Sequence, residues 1–92
     1  MPVLFRIPGQ LRELAGDRSE IRVESAASLS DALAHLWTSC PAIRDRVVNE
    51  LGEVRPHVNI FVNGECIRDA AGLTTSVSDG SEIFILPAIS GG

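Results

Sequence analysis

The sequence predicts an α+β fold in which a mixed sheet of four to five strands is covered by one main helix. Apolar and polar residues alternate with a period of two in several separate segments, which is typical of half-buried strands. One segment between them carries apolar residues at helical spacing instead. With 92 residues, the chain is too short to be divided into two hydrophobic cores, so we expect one domain.

The N-terminal part is predicted to form two strands. Residues 3–8 alternate as far as Pro8-Gly9, the pattern of a strand closed by a turn. A polar loop containing Gly16-Asp17 follows. Residues 20–24 then alternate charged and β-branched side chains, which predicts a second strand with one buried and one exposed face, able to form a hairpin with the first.

The main helix is predicted to begin after Ser28, whose hydroxyl can cap the first turn while Asp31 returns a hydrogen bond and favours the positive end of the helix dipole. Pro41 bounds it near residue 39 or 40. A second, short helix is predicted over 42–51, ended by Gly52. The apolar residues of the main helix form a single stripe: Leu29, Ala32, Leu33, Leu36 and Trp37.

The C-terminal half is predicted to supply the remaining strands. Residues 58–62 alternate and meet Asn63-Gly64, the dipeptide that best tolerates positive φ in a tight hairpin turn. This predicts a third strand and a short fourth strand around 65–68. After a turn-rich segment, residues 82–86 form the final strand, which Pro87 stops.

This element order, with the first and last strands central and parallel, is that of a β-grasp or ubiquitin-like fold, and the rule of right-handed crossovers permits it. A ferredoxin-like fold would need a second strong helix. The β-grasp domain is predicted to span 1–87. Residues 88–92 are predicted to be a flexible C-terminal Gly-Gly tail, since Pro87 ends the sheet.

Charge and composition exclude several classes of function. The formal net charge is −4, and the basic residues are scattered from Arg6 to Arg68, so nucleic acid is not expected as a partner. All eight basic residues are Arg. The lack of Lys excludes Schiff-base chemistry and the phosphate-binding lysine of a P-loop. We therefore expect any ATP to be handled by another protein.

A cytoplasmic protein without a membrane role is expected, because no apolar run approaches the ~18 residues of a membrane span and no signal peptide is evident. Cys40 and Cys66 are far apart, without the spacing of a metal site, and are predicted to be small buried apolar residues. His35 and His57 have no nucleophile at a recognisable spacing and are predicted to lie on the surface. No catalytic residue and no metal are expected.

The terminal Gly91-Gly92 pair is the feature that suggests chemistry. Without side chains it can thread a narrow channel and present its carboxylate to the active site of a second protein. Adenylation by ATP would convert that carboxylate into a mixed anhydride open to attack by sulfur or an amine. The alternative is a frayed terminus on which the glycines are incidental.

Three segments make the chain resemble the small β-grasp sulfur carriers of the ThiS/MoaD family, which include the thiamine sulfur carrier and the small subunit of molybdopterin synthase. The resemblance covers nearly the whole chain and is clearest in residues 58–64, 73–83 and 86–92. It implies that Gly92 is adenylated by a ubiquitin-activating-like adenylyltransferase and becomes a thiocarboxylate. Gly91, Ser90 and Ile89 would then be the threading residues. No cofactor is bound by the carrier, and ATP is consumed by the activating enzyme.

The resemblance is nearest to carriers that serve a pyridoxal-phosphate cysteine synthase, and next to those that serve the molybdopterin synthase large subunit. The chain is longer than a typical thiamine carrier, and Leu86-Pro87-Ala88-Ile89-Ser90 stands where molybdopterin subunits tend to have paired prolines. One alternative is a protein modifier joined through Gly92 to lysines on targets. The lack of Lys denies such a modifier the usual way of building chains on itself. Another alternative is a β-grasp interaction module.

A docking surface is predicted from strand parity. If residues 58, 60 and 62 point under the helix, Phe61 points to the opposite face. The same rule leaves Phe84 and Leu86 outside in the final strand. We expect this apolar patch to bind the activating and acceptor enzymes. The alternative is that these side chains only pack against each other across neighbouring strands.

Overall fold

The computed structural model describes residues 2–24 and 26–87. Its strands are Val3–Arg6 (β1), Glu20–Val23 (β2), Val58–Val62 (β3), Glu65–Cys66 (β4) and Glu82–Pro87 (β5). Its α-helices are Gly9–Arg12 (α1), Leu29–Ser39 (α2) and Pro41–Val47 (α3). Single 3₁₀ turns cover Glu13–Ala15, Ile67–Asp69 and Gly72–Thr74.

The strands form one five-stranded sheet in the order β2-β1-β5-β3-β4. β1 and β5 are parallel, with Phe5 opposite Ile83, and the other neighbouring pairs are antiparallel. β5 is the central strand and β1 lies beside it. The predicted mixed sheet with parallel first and last strands is therefore confirmed.

The core lies between one face of the sheet and the helices. Residues 29, 32, 33 and 36 of α2 are buried, as the stripe predicted, whereas Trp37 is half-buried and packs against the edge of the core. The inward residues of the two strands that carry the predicted docking patch are all buried: Val58, Ile60, Val62, Ile83 and Ile85.

The start of α2 has the predicted cap with one difference. Ser28 Oγ accepts a hydrogen bond from the Asp31 amide at 3.2 Å. Asp31 Oδ2 accepts one at 3.3 Å from the amide of Ala27, one residue before the cap, instead of from Ser28. These two bonds satisfy the amides of Asp31 and Ala27, and they help to fix where α2 begins.

The second helix is shorter than predicted. α3 ends at Val47, and Val48 forms an isolated bridge with Val54. Asn49 explains the difference, because its Oδ1 accepts hydrogen bonds from the amides of Leu51 at 2.9 Å and Glu53 at 3.0 Å. A side chain that binds the following amides competes with helical hydrogen bonds and favours a turn.

Other expectations need correction as well. The predicted polar loop after the first strand contains α1 and a 3₁₀ turn, which bury Leu11 and Ala15. Cys40 is buried as predicted, but Cys66 is only half-buried. The fourth strand ends at Cys66, two residues before the predicted end. Within the described ranges, no helix is long and apolar enough to cross a membrane.

Candidate docking face and tail exit

The predicted attachment residue Gly92 and the threading residues Gly91, Ser90 and Ile89 lie outside the described residues. The last described residue is Pro87, at the end of β5. The site that can be described is therefore the point from which the predicted tail leaves, together with the surface around it. The division of the chain after residue 87 stays a prediction.

The exit is held by the pairing of β5 with β3, and the strand that leads to it is also paired with β1. On one side Pro87 is opposite Val58 and Leu86 is opposite Asn59 of β3. On the other side Phe84 is opposite Arg6 of β1. β5 is thus paired on both edges as far as Phe84, and beyond Phe84 only on the edge that faces β3. The last residues of β5 are thus held in a defined position relative to the open face of the sheet.

The three predicted docking residues share the face of the sheet that the helices leave open. Phe84 is 38% exposed and Leu86 is 44% exposed, whereas Phe61 is half-buried. Their strand neighbours Ile83 and Ile85 are fully buried on the other side. The parity argument is confirmed for all three residues, although their role in docking stays a prediction.

The register extends this face beyond the residues that the sequence identified. Phe84 lies opposite Arg6 on one side and Phe61 on the other, and Phe61 lies opposite Cys66. Arg6 lies on the open face because Phe5 and Ile7 on either side of it point into the core, and the register puts it beside Phe84. An aromatic pair is therefore flanked by a half-buried thiol and a guanidinium.

Arg6 holds an ion-pair network at the β1 side of this face. Its Nη2 and Nε donate to Glu82 Oε2 at 2.8 Å and 3.0 Å, and its Nη1 donates to Glu20 Oε1 at 2.7 Å. The hydrogen bond to Glu82 is the main cause that raises the pKa of Arg6, and partial desolvation opposes it. Because two carboxylates already surround it, Arg6 presents little uncompensated positive charge.

A groove of about 270 Å³ opens beside the tail exit, between the end of β1 and the end of β5. Its walls include Arg6, Pro8, Arg12, Phe84 and Leu86. Arg12 Nη2 donates to the Ile7 carbonyl at 3.2 Å. The groove was not predicted, because it depends on how the chain after β1 turns back past Leu86.

The β3 side of the exit is tied down by Arg68. Its Nη2 donates to the carbonyls of Val58 at 2.7 Å, Arg55 at 3.0 Å and Pro56 at 3.3 Å. One side chain thereby holds the segment that enters β3 directly opposite Pro87. Both flanks of the exit are therefore fixed by arginine contacts to main-chain carbonyls.

Both histidines lie on the surface, as predicted, and His35 Nε2 is 3.9 Å from Asp31 Oδ1 on the exposed side of α2. Among the described residues, no group of three or more His, Cys, Asp or Glu side chains is placed to hold a metal ion.

Comparison with known proteins places the chain among small carriers and modifiers. The model of the ThiS family matches residues 5–92. The chain is 33% identical over 94 residues to the sulfur carrier protein CysO of Mycobacterium tuberculosis, with all of both chains covered. It is 35% identical over 89 residues to small archaeal modifier protein 1 of Haloferax volcanii, which covers 96% of this chain and 98% of that protein.

A solved structure extends this similarity to the fold. A chain in the crystal structure of the BexX/CysO complex of Amycolatopsis orientalis superposes with a TM-score of 0.88 and is 30% identical. The superposition covers 98% of this chain and 99% of that one. The β-grasp fold that the strand order predicted is therefore confirmed.

Proposed function

The chain belongs to the ThiS family, and we propose that it carries sulfur as a thiocarboxylate on Gly92. The observation that carries this proposal is the terminal Gly91-Gly92 pair, the fourth and fifth residues after the central strand of a ubiquitin-like domain. The alignment with the sulfur carrier CysO covers the whole of both chains, which supports reading that pair as the functional end.

The proposed chemistry takes place in two steps on an activating enzyme. The Gly92 carboxylate attacks the α-phosphate of ATP, pyrophosphate leaves, and an acyl-adenylate forms. Hydrosulfide then attacks the acyl carbon, AMP leaves, the sulfur loses its proton, and the carboxylate has become a thiocarboxylate. ATP is bound by the ubiquitin-activating-like adenylyltransferase, so the carrier itself needs no cofactor and acts as a substrate.

The contribution of this chain is to position its tail. Docking through Phe61, Phe84 and Leu86 would hold Pro87 at the mouth of the partner's active site. Five extended residues span about 17 Å, so the reacting carbon can lie that far inside the partner. Holding two reactants in a fixed geometry replaces a bimolecular encounter by an effectively unimolecular step. Glycine at the last two positions leaves no side chain to obstruct the passage.

For the acceptor, we propose a cysteine synthase first and the molybdopterin synthase large subunit second, as the sequence resemblance ranks them, with a thiamine-type acceptor after these. The similarity to CysO supports delivery of sulfur in general. The crystal structure of a CysO complexed with BexX supports the view that a carrier of this shape binds another protein. We place these reactions in the cytoplasm, where ATP is available.

A second candidate function rests on the similarity to small archaeal modifier protein 1. In that case the same acyl-adenylate is attacked by the amine of a lysine on a target protein, AMP leaves, and Gly92 is joined to the target by an isopeptide bond. The tail and the activating enzyme would be the same, and only the nucleophile differs.

The experiment that tests the proposal is intact-mass measurement after incubation with the activating enzyme of the same organism, ATP and sulfide. The mass should rise by the difference between sulfur and oxygen. A variant lacking Gly92 is the control and should show no change. Conjugates with other proteins, and no sulfur adduct on the free chain, would favour the modifier instead.

A further inference from the structure

We propose that the groove beside the tail exit binds an acidic segment of the activating enzyme, with Arg12 pairing to a carboxylate and Pro8, Phe84 and Leu86 contacting an apolar neighbour of that carboxylate. This inference rests on the proposed function, because it names what the groove meets when the tail enters its partner. The pairing of Arg12 would add a charged contact to the apolar docking face of Phe61, Phe84 and Leu86.

The charge of the groove supports an acidic ligand. Of the two arginines that line it, Arg6 is paired with Glu20 and Glu82. Arg12 takes part in none of the ion pairs among the described residues and donates one hydrogen bond, to the Ile7 carbonyl. Among residues 2–24 and 26–87, no acidic residue lines the groove. Arg12 thus offers the groove a guanidinium that no carboxylate of the described residues neutralises.

The apolar side chains in the walls of the groove favour a ligand that also carries an apolar group. Phe84 and Leu86 are among the few large apolar side chains of the described residues that are exposed, and both line this groove with Pro8. A small inorganic anion would leave those walls in contact with water. A peptide segment with a carboxylate next to an aliphatic or aromatic side chain satisfies both parts, and such complementarity of charge steers association and fixes register.

The position of the groove favours a partner over the chain's own tail. The groove is lined by residues 84–86, which precede Pro87 on β5. The tail would have to reverse direction to fill it. A tail that extends into the active site of the enzyme cannot occupy the groove at the same moment, so the groove is open to the enzyme's surface during adenylation.

The lack of lysine in this chain permits a direct test by zero-length carbodiimide cross-linking to the activating enzyme. Arg12→Lys introduces the sole side-chain amine at the groove. Arg46→Lys, on the exposed side of α3 in the helical layer, is the matched control, and the wild-type chain accounts for the N-terminal amine. Peptide mapping by tandem mass spectrometry identifies the carboxylate that reacts.

We expect Arg12→Lys to yield a cross-link to an Asp or Glu of the activating enzyme, and Arg46→Lys to yield none. Cross-linking of Arg12→Lys to its own Gly92 carboxylate would overturn the proposal in favour of a folded-back tail. Equal cross-linking by both variants would overturn it as well.

A kinetic test uses Arg12→Glu and Arg46→Glu, which change the net charge equally. Arg12→Glu should slow association with the activating enzyme by about tenfold at low salt, and the deficit should shrink at high salt because the contact is electrostatic. Identical rates for the two variants would overturn the groove assignment while wild-type sulfur loading persists. Absence of sulfur loading and of binding in the wild-type chain would instead overturn the proposed function and this partner with it.

Discussion

Phe61 and Phe84 lie directly opposite each other on the antiparallel pair of β3 and β5, on the face of the sheet that the helices leave open. Side chains in such a pair are close enough to stabilise the sheet. Phe84 nevertheless keeps 38% of its surface exposed. Packing across the two strands therefore leaves part of Phe84 uncovered, and docking through that exposed part stays a prediction.

Replacing either phenylalanine by serine should weaken binding to the activating enzyme. We expect a loss of about 1–3 kcal/mol for Phe61→Ser and for Phe84→Ser, because aromatic side chains at the centre of an interface carry much of its binding energy. Isothermal titration calorimetry measures the loss, and thermal unfolding measures the effect on stability. The stability cost should be larger for Phe61, which is more buried.

Leu51→Ser is the matched control, since Leu51 is 79% exposed in the turn after α3. It removes a large exposed apolar side chain away from the open face and should leave the affinity unchanged. Wild-type affinity of both phenylalanine variants would remove this face from the mechanism.

Shortening or lengthening the C-terminus should abolish sulfur loading without unfolding the protein. Deletion of Gly92, or addition of one residue after it, displaces the reacting carboxylate. Because residues 88–92 follow the last strand, the melting temperature should stay within about 2 °C of wild type. Intact mass and calorimetry report the two effects, and one extra residue at the N-terminus is the control. Unfolding of the truncated chain would refute the separation of domain and tail.

Truncation of the α2 stripe should destabilise the fold strongly. Leu33 and Leu36 are 3% and 0% exposed, and each substitution by Ala should cost roughly 2–5 kcal/mol, because it removes buried methyl groups and leaves a cavity. Chemical denaturation measures the loss, and Leu51→Ala should change stability by less than about 0.5 kcal/mol. A cost below about 1 kcal/mol at both core positions would show that α2 covers the sheet differently.

Side-chain parity was predictable because it is a local property of strands. The alternation in residues 58–62 and 82–86 assigns every side chain to one of two faces once a single residue is placed. The structure confirms the inward Ile60 and Ile85 and the outward Phe84. The parallel pairing of the first and last strands was predicted as part of the β-grasp fold that the element order suggests and the crossover rule permits.

The segments between strands were less predictable, since tertiary contacts compete there with short patterns. Ile43, Val47 and Leu51 have helical spacing, but Asn49 binds two later amides and ends α3 early. The position of Asn49 is the sequence feature from which the C-terminal end of α3 could have been predicted. Leu11 is buried although it lies in a helix of only one turn. Such a helix is too short to show a helical period of apolar residues in the sequence. Arg12 and Leu86 line the same groove because the chain forms this short helix after β1. No pattern in the sequence predicts that arrangement.

The Asn63-Gly64 turn offers a last test, because Asn63 has two separable roles. Its φ is +51° and that of Gly64 is +88°, as the hairpin turn requires. Its side chain also reaches the start of β5: Oδ1 accepts from the Glu82 amide at 2.9 Å, and Nδ2 donates to Ser81 Oγ at 3.2 Å. The residue thus shapes the turn and ties it to the central strand.

Asn63→Ala loses both roles and should cost about 1–3 kcal/mol, through the unsatisfied Glu82 amide and the strain of a positive φ. Asn63→Gly removes the same hydrogen bonds but adopts positive φ freely, so its cost should be smaller. Denaturation curves of the two variants separate the contributions by difference. If Asn63→Gly costs as much as Asn63→Ala, backbone strain contributes nothing and the hydrogen bonds to β5 account for the whole effect. Sulfur loading at 25 °C should persist in both variants, since Asn63 pairs with the start of β5 and the tail leaves from its other end.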